Sequence, residues 1–513
     1  MRRAIAAGVM GGLILGGTAA TPALAATPAA TSGPTATAGP GMKTVVYAGY
    51  AFQVPASWPV YRLDEHPRTC VRYDVPAVYL GRPGASMDCP AGLAGRTQTV
   101  SFIPAGRAAP VTGGRGRQPA KQARPETAAG VELQRLPAVH SMISQLADQH
   151  ELEVTLGATG AGGTVLGTYG AAPGVLEQVL NTLRLAPVGA TPTAQSVPPQ
   201  AVPSPTVPSP TVPAQTVPAQ TVPAPTRAPT AHPTVAPQRA AVAALRARVT
   251  RTPARHPVAA QQTYTSWQGV PSDWPAEIVQ MSQPQSHPVG GFDACTAPSL
   301  ATMRVWRSRY AAVGAYIGGI NAACAYGNLS ATWIQSVAAM GWGVLPTYVG
   351  PQAPCWNGGN GVLISPGRAA AQGNAAGLDA VSDARYFGLA AGSPIYYDME
   401  AYTGGTACKQ AVLSFLGAWD RAVAACGYVT AVYSSRDSGI KNIQEWTTGH
   451  NPGFTPPDAI WVAVWDGVPS LAGDQLAWPL TERSKQYSGS ANVTVGGITL
   501  NIDKDIVGGP VAR

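Results

Sequence analysis

The stretch from about Val188 to Ala260 limits what this chain can fold into more than any other feature. It consists largely of Pro, Thr, Val, Ala and Gln, with a near-repeat in Pro213-Ala214-Gln215-Thr216-Val217-Pro218-Ala219-Gln220-Thr221-Val222. Such a segment has too few large apolar side chains for a core, and its prolines favour extended polyproline II. At ~3.1 Å per residue it spans on the order of 200 Å when fully drawn out. The expectation is therefore two folded units, residues 42–187 and 286–513, joined by a Pro/Thr/Ala-rich tether over 188–285.

The N-terminus carries an export signal. Arg2 and Arg3 precede the apolar run Ala4 to Leu15, and Ala23-Leu24-Ala25 fits the small-x-small cleavage pattern, so residues 1–25 read as a signal peptide. The run is too short and Gly-rich for a membrane span, and no later stretch is long and apolar enough to be one. The paired arginines also suit the twin-arginine route, although the rest of that motif is missing. The expected location is extracellular.

Seven cysteines in an exported chain read as three disulfides and one leftover thiol. Cys70 and Cys89 alone precede the tether and should pair. Two bridges are expected among Cys295, Cys324, Cys355, Cys408 and Cys426, and Cys426, at a helix end closed by Gly427, is the expected free thiol. Charge is uneven: residues 1–285 hold 21 Lys and Arg against 12 Asp and Glu, whereas 286–513 hold 13 against 14. Outside a cell, a basic N-terminal part would be drawn to anionic wall polymers or lipid headgroups.

Residues 42–187 alternate apolar and polar positions between turn signals, as in Thr44 to Tyr50 and Ala77 to Gly81. Helical spacing over Val139–Gln149 and Val175–Leu185, with a strand at Leu152–Leu156, predicts a small α+β domain, interrupted by a Gly/Arg/Pro-rich loop around Arg107 to Arg124. Its chemistry is blank.

Residues 286–513 show eight regularly spaced strand candidates: Gly290–Ala294, Val313–Gly319, Gly343–Gly350, Ile395–Glu400, Tyr428–Ser434, Ile460–Trp465, Ser484–Ser488 and Leu500–Asp505. Helical segments such as Ser299–Tyr310, Leu329–Met340 and Ala411–Ala425 lie between the first five, which argues for parallel βα units. The last strands are too closely spaced for full helices. The expectation is an α/β, TIM-type barrel with short or missing last helices.

Within it, Pro394-Ile395-Tyr396-Tyr397-Asp398-Met399-Glu400 is the most informative segment. Alternation puts Tyr396, Asp398 and Glu400 on one face, and in a parallel barrel that face points to the axis. Two carboxylates ending a strand lie where barrel active sites are built. Their proximity raises at least one pKa, as a general acid requires. Asp293 and Asp503 end the first and last strands, which are neighbours in a closed barrel, so all four acids should converge at one mouth. Asp505 shares the face of Asp503. Taken singly, Asp293 could be a helix cap and Asp398 a structural acid; jointly this is harder to sustain.

The segments Gly291–Pro298, Tyr316–Gly319, Tyr348–Cys355, Tyr396–Glu400 and Tyr433–Ser435 resemble an actinobacterial family of secreted glycoside-hydrolase-like domains, itself similar to the family-25 lysozymes, or muramidases. The likeness spans roughly Pro288 to Val507. It includes Asp293, the Asp398-x-Glu400 pair, Gln486-Tyr487-Ser488 and Asp503. The resemblance implies Glu400 as catalytic acid/base and Asp398 as its support, with Asp293 and Asp503 positioning substrate or water or stabilising developing charge. Tyr316, Tyr348, Tyr396, Tyr433, Trp465 and Tyr487 end or line strands; Tyr348 and Tyr396 are the candidates for sugar contact. Cys295 departs from the muramidase pattern, and a bridge to the loop holding Cys324 would rim or narrow the mouth.

Other chemistries lack their residues. His287 and His450 are the only histidines of the barrel region and have no partners nearby for a zinc site or a His-based triad. No nucleophile elbow, phosphate loop or dinucleotide fingerprint occurs, and the near-neutral barrel is no nucleic-acid surface. A monomer without metal or cofactor, acting on or recognising cell-wall polysaccharide of the peptidoglycan type, is the resulting expectation. The alternative is a non-catalytic wall-binding or envelope-structural module on the same barrel.

Overall fold

A computed structural model describes residues 41–105, 131–146, 150–157, 162–196, 283–284, 288–449, 454–473 and 475–513. The export signal, the Arg107–Arg124 loop and nearly all of the tether lie outside the described residues. No described helix is long and apolar enough to cross a membrane.

The C-terminal half is a closed eight-stranded barrel. Its strands are β1 (Val289–Asp293), β2 (Ala312–Gly318), β3 (Gly343–Tyr348), β4 (Pro394–Met399), β5 (Val429–Ser435), β6 (Ala459–Ala463), β7 (Arg483–Val495) and β8 (Ile498–Val507). Successive strands from β1 to β7 pair in parallel, while β8 runs antiparallel to both β7 and β1. Helices α1 (Leu300–Trp306), α2 (Ala331–Ala339), α3 (Ala369–Tyr386), α4 (Thr406–Ala425) and α5 (Lys441–Thr448) follow β1 to β5. Among the described residues between β6 and β7 only a single 3-10 turn, Leu480–Glu482, is found, and β7 joins β8 as a hairpin. That hairpin makes the last strand antiparallel, because so short a connection cannot carry a parallel crossover.

Local chemistry accounts for the elements. The Ser299 and Ser330 hydroxyls accept the N–H groups of Thr302 and Trp333 and start α1 and α2. Helix α4 buries Cys408, Ala411, Val412, Phe415, Leu416, Trp419 and Val423, the spacing of one helical face. On β4 the alternation is as expected. Tyr397 packs outward against Phe415 and Trp419 of α4, whereas Tyr396 belongs to an inner cluster with Leu345, Ala431, Trp461 and Val507. Burying each such ring contributes about 2–3 kcal/mol. Residues 510–512 plug the barrel's lower end: the Tyr396 hydroxyl donates to the Pro510 carbonyl at 2.7 Å, and Ala512 bridges Val344.

The N-terminal part is β-rich. A seven-stranded sheet runs in the order 60–62, 77–80, 99–104, 163–168, 151–156, 141–146, 131–136, beside a three-stranded sheet of 42–47, 50–55 and 184–185. The helix Gly174–Asn181 packs Leu176, Val179 and Leu180 inward. The helical spacing expected over Val139–Gln149 is overturned, since Ser141–Leu146 is a strand paired with Val131–Leu136. Its burial has period two: Val139, Ser141 and Ile143 point in, while Met142 is 41% exposed. The unit also runs past its expected end at 187, because Thr193 and Ser196 donate to the carbonyls of Val46 and Val60.

All three disulfides form: Cys70–Cys89, Cys295–Cys324 and Cys355–Cys408, leaving Cys426 free. The two units are not held apart. Arg72 forms a β-bridge with Cys324, and Ala94 with Ala322, so the N-terminal part sits on the barrel's β2–α2 loop.

Candidate active site

The acids converge where alternation puts them. Asp293 and Asp503 are paired residues on adjacent strands β1 and β8. Asp398 lies at the end of β4 and Glu400 just beyond it. Asp503, expected at the end of its strand, lies within it; since β8 is antiparallel, it still reaches the mouth. Asp505 pairs with Gly291, one layer deeper, and accepts the Trp461 indole N–H at 3.1 Å. Gly314 makes room for this packing, because a Cβ there would overlap that of Asp293.

Gln486 on β7 is the hub that organises the site. Its amide nitrogen donates to Asp293 at 3.0 Å and to Asp503 at 3.3 Å. Its carbonyl oxygen accepts the Tyr433 hydroxyl and the Trp465 indole N–H, both at 2.8 Å. Tyr316 adds a 2.9 Å hydrogen bond to the other oxygen of Asp293. A second glutamine fixes the end of β4: Gln352 donates to the Asp398 carbonyl at 2.9 Å and accepts the Glu400 N–H at 2.8 Å. Asp398 Oδ1 has no hydrogen-bond partner among the described residues, whereas Asp505 also hydrogen-bonds the carboxyl of Asp293.

Burial dominates the electrostatics. It lifts the Glu400 carboxyl to about 7, with the nearby charge of Asp293 adding to the effect and the Ala401 N–H opposing it. Burial also raises Asp293 to about 6, held back by its hydrogen bonds from Gln486 and Tyr316. Asp398, Asp503 and Asp505 are pushed well above the usual carboxylate range, first by burial and then by the charges of their neighbours. At neutral pH the cluster therefore carries far less negative charge than five carboxylates would in water.

Access separates these groups. Asp293, Asp398 and Asp503 are 0, 3 and 2% exposed, and only Glu400 keeps partial contact with solvent. The two tyrosines expected to touch sugar do not face the mouth. Tyr348 points outward, with its hydroxyl on Asp379 of α3 at 2.8 Å, and Tyr396 lies inside the lower barrel. Both rings are at most 2% exposed, so neither offers a face to a ligand. Tyr316 and Tyr433 are engaged with the acids and Gln486. The exposed ring is Trp465, just past β6 and 54% accessible, lying against Gly489 where a Cβ would overlap it. Its place at the upper end of a strand was the sequence signal; Gln352 and Gln486 gave none beyond their neighbours, because an amide reveals its role only through what it bridges.

No curated protein sequence matches the chain. Among solved structures, an uncharacterized B. stearothermophilus protein is 18% identical, with 43% of this chain and 95% of that one covered at a TM-score of 0.32. The Mycobacterium tuberculosis Tat-secreted protein Rv2525c is 15% identical, with coverage of 44% and 96% and a TM-score of 0.31. The modular autolysin LytC from Streptococcus pneumoniae is 13% identical, with coverage of 44% and 47% and a TM-score of 0.30. Residues 304–507 match the family model described as Rv2525c-like, glycoside hydrolase-like domain. The barrel of this chain is thus a glycoside hydrolase-like domain of the Rv2525c-like kind.

Proposed function

We propose that the barrel hydrolyses cell-wall glycan of the peptidoglycan type outside the cell, with Glu400 as the general acid. The observation that carries this reading is the partly accessible Glu400 carboxyl at about 7, above a buried acidic cluster. Near neutral pH such a group is protonated often enough to donate to a glycosidic oxygen, yet acidic enough to let the proton go. Asp293, at about 6, ionises before Glu400, and its negative charge faces the cation that develops as the sugar–oxygen bond breaks. Asp398 and Asp503 hold their protons more firmly and serve as positioning residues beneath Glu400. Water then adds to the sugar carbon and its proton returns to the carboxylate of Glu400. The exposed Trp465 ring supplies the apolar face on which a sugar stacks.

The test is reducing-end release from purified peptidoglycan by the full chain beside its Glu400→Gln variant. The variant is expected to lose at least ~10²-fold, the usual worth of a positioned acid. One observation favours a second reading, a non-catalytic glycan-binding module: three of the four acids are at most 3% exposed, Asp293 and Asp503 being hydrogen-bonded from within and Asp398 held toward its neutral form by burial. Glycan binding without product, unchanged by Glu400→Gln, would decide for that reading.

A further inference from the structure

The rim of the barrel mouth is strongly asymmetric. On the loops after β1 to β3, Ala294, Cys295, residues 321–325 and residues 350–353 are all buried. On the loops after β4 to β6, Ala401, Thr403, Arg436, Asp437, Trp465 and Asp466 are exposed. The N-terminal part of the chain covers Cys295 and residues 321–325 of this arc, while residues 350–353 are buried by Asn321, Tyr397 and residues 362–364 of the barrel itself.

The cover is made largely of backbone hydrogen bonds. Tyr73 N–H donates to Ala323 O at 2.7 Å and Ala325 N–H to Val71 O at 3.2 Å, around the Arg72–Cys324 bridge. Gly95 N–H donates to Asn321 O at 2.9 Å and Arg96 N–H to Asn360 O at 2.8 Å, beside the Ala94–Ala322 bridge. On the other flank, Ala91 N–H donates to Asn501 Oδ1 of β8 at 2.9 Å. Residues 91–96 therefore cross the mouth from the β7–β8 hairpin to the loops after β2 and β3. Between these anchors, Gly92 faces the acids: a Cβ on it would stand 3.0 Å from Asp503 Oδ2. With φ at +64°, the glycine also makes the turn that brings the backbone this close.

The segment is also stapled. Cys89 at its start is bridged to Cys70, and the sulfurs of Cys70, Cys89 and Cys324 lie within 4.8 Å of one another, so the disulfides of the two units abut. Leu63, Val71, Tyr73, Tyr79, Met87 and Ala325 pack around them in one shared apolar cluster. At its far end the Arg96 side chain is held in a buried ion pair with Glu151. Nothing in this arrangement resembles a loosely hung loop.

We propose that residues 89–96 are a fixed end wall of the acidic cleft, and that the cleft therefore takes the end of a glycan chain, entering over the β4–β7 rim, rather than a strand passing through. This inference rests on the glycan reading above and deepens it. A chain laid across the mouth needs room beyond Asp503, and that room is filled by Gly92 and its neighbours. A terminal sugar needs no such room.

The test uses the full chain carrying Glu400→Gln, so that bound polymer is not cut. Peptidoglycan is partially digested by an unrelated muramidase, which multiplies chain ends at constant mass. A ~10-fold rise in ends should bring a ~10-fold rise in protein bound at saturation, since binding follows the number of sites by mass action. Capacity that stays constant with digestion overturns the wall while leaving the glycan reading intact; no binding to any preparation overturns both. In Gly95→Val, a side chain driven into the Asn360 carbonyl lifts the segment, and capacity should lose its dependence on ends. Separately, the full chain is cleaved at a protease site inserted between residues 220 and 230. The halves should co-elute on size exclusion, and elution as separate species would overturn the proposal whatever the glycan results.

Discussion

Replacing Glu400 by Gln should stabilise the protein, and only above the acidic range. The Glu400 carboxyl stands at about 7 in the fold against 4.5 ordinarily. Between those values the folded state binds more protons than the unfolded one, so stability falls as pH rises through this window. At ~1.36 kcal/mol per pH unit the full displacement amounts to roughly 3 kcal/mol once pH exceeds about 7. The side chain keeps partial contact with water, which screens part of that cost, and about 1.5 kcal/mol is the better expectation. A neutral amide of the same shape escapes it. Thermal melts of wild type and variant should then nearly coincide at pH 4 and differ by about 2–4 °C at pH 8, with the variant higher. An offset that does not change with pH, or a variant that melts lower at pH 8, would refute the reasoning, because Glu400 would then not be held protonated by its surroundings.

Three further outcomes follow from the same site. Hydrolysis should rise as pH climbs through about 6, where Asp293 ionises, and fall through about 7, where Glu400 loses its proton; the two apparent values belong to the coupled cluster, and a flat profile from pH 5 to 8 would contradict the assignment. Gln486→Leu removes the donor shared by Asp293 and Asp503 and should cost about 1–3 kcal/mol in denaturant titration; it should also move the acid limb of the pH profile upward, which a purely structural loss would not do. Trp465→Ala removes the indole hydrogen bond to Gln486 and the ring's contact with Gly489, and should lower the melting temperature by about 2–4 °C; glycan affinity, read by titration calorimetry, should weaken by roughly 10-fold through the lost stacking face.

Much of this was legible in the chain before it folded. The eight strand segments, the missing last helices and the inward face of Tyr396, Asp398 and Glu400 follow from period-two alternation and the spacing between apolar runs, which are local properties. The Cys70–Cys89 bridge and the free Cys426 followed from which cysteines lay on each side of the tether and which one closed a helix, whereas the pairing of Cys295 with Cys324 and of Cys355 with Cys408 came only with the fold. Local pattern failed where two periods overlap: Val139, Met142, Ile143 and Leu146 suit a helix, but the sheet partner at Val131–Leu136 made the segment a strand. It failed again for Tyr348 and Tyr396, because a tyrosine on a barrel strand is placed by its own neighbours, Asp379 in one case and Pro510 in the other.

The sequence by itself determined that a barrel forms and that four acids meet at its mouth, because alternation along each strand and closure of the sheet leave them no other place. Only the tertiary structure decided how those acids differ. Burial, the amide of Gln486 and the backbone of Gly92 separate one partly open carboxyl at Glu400 from three that are covered. The tether joins two folded units, but its composition does not say how they meet. Docking depends on complementary surface, here the backbone edges of residues 71–73 and 94–96 against 321–325, and that complementarity arises only once both halves have folded.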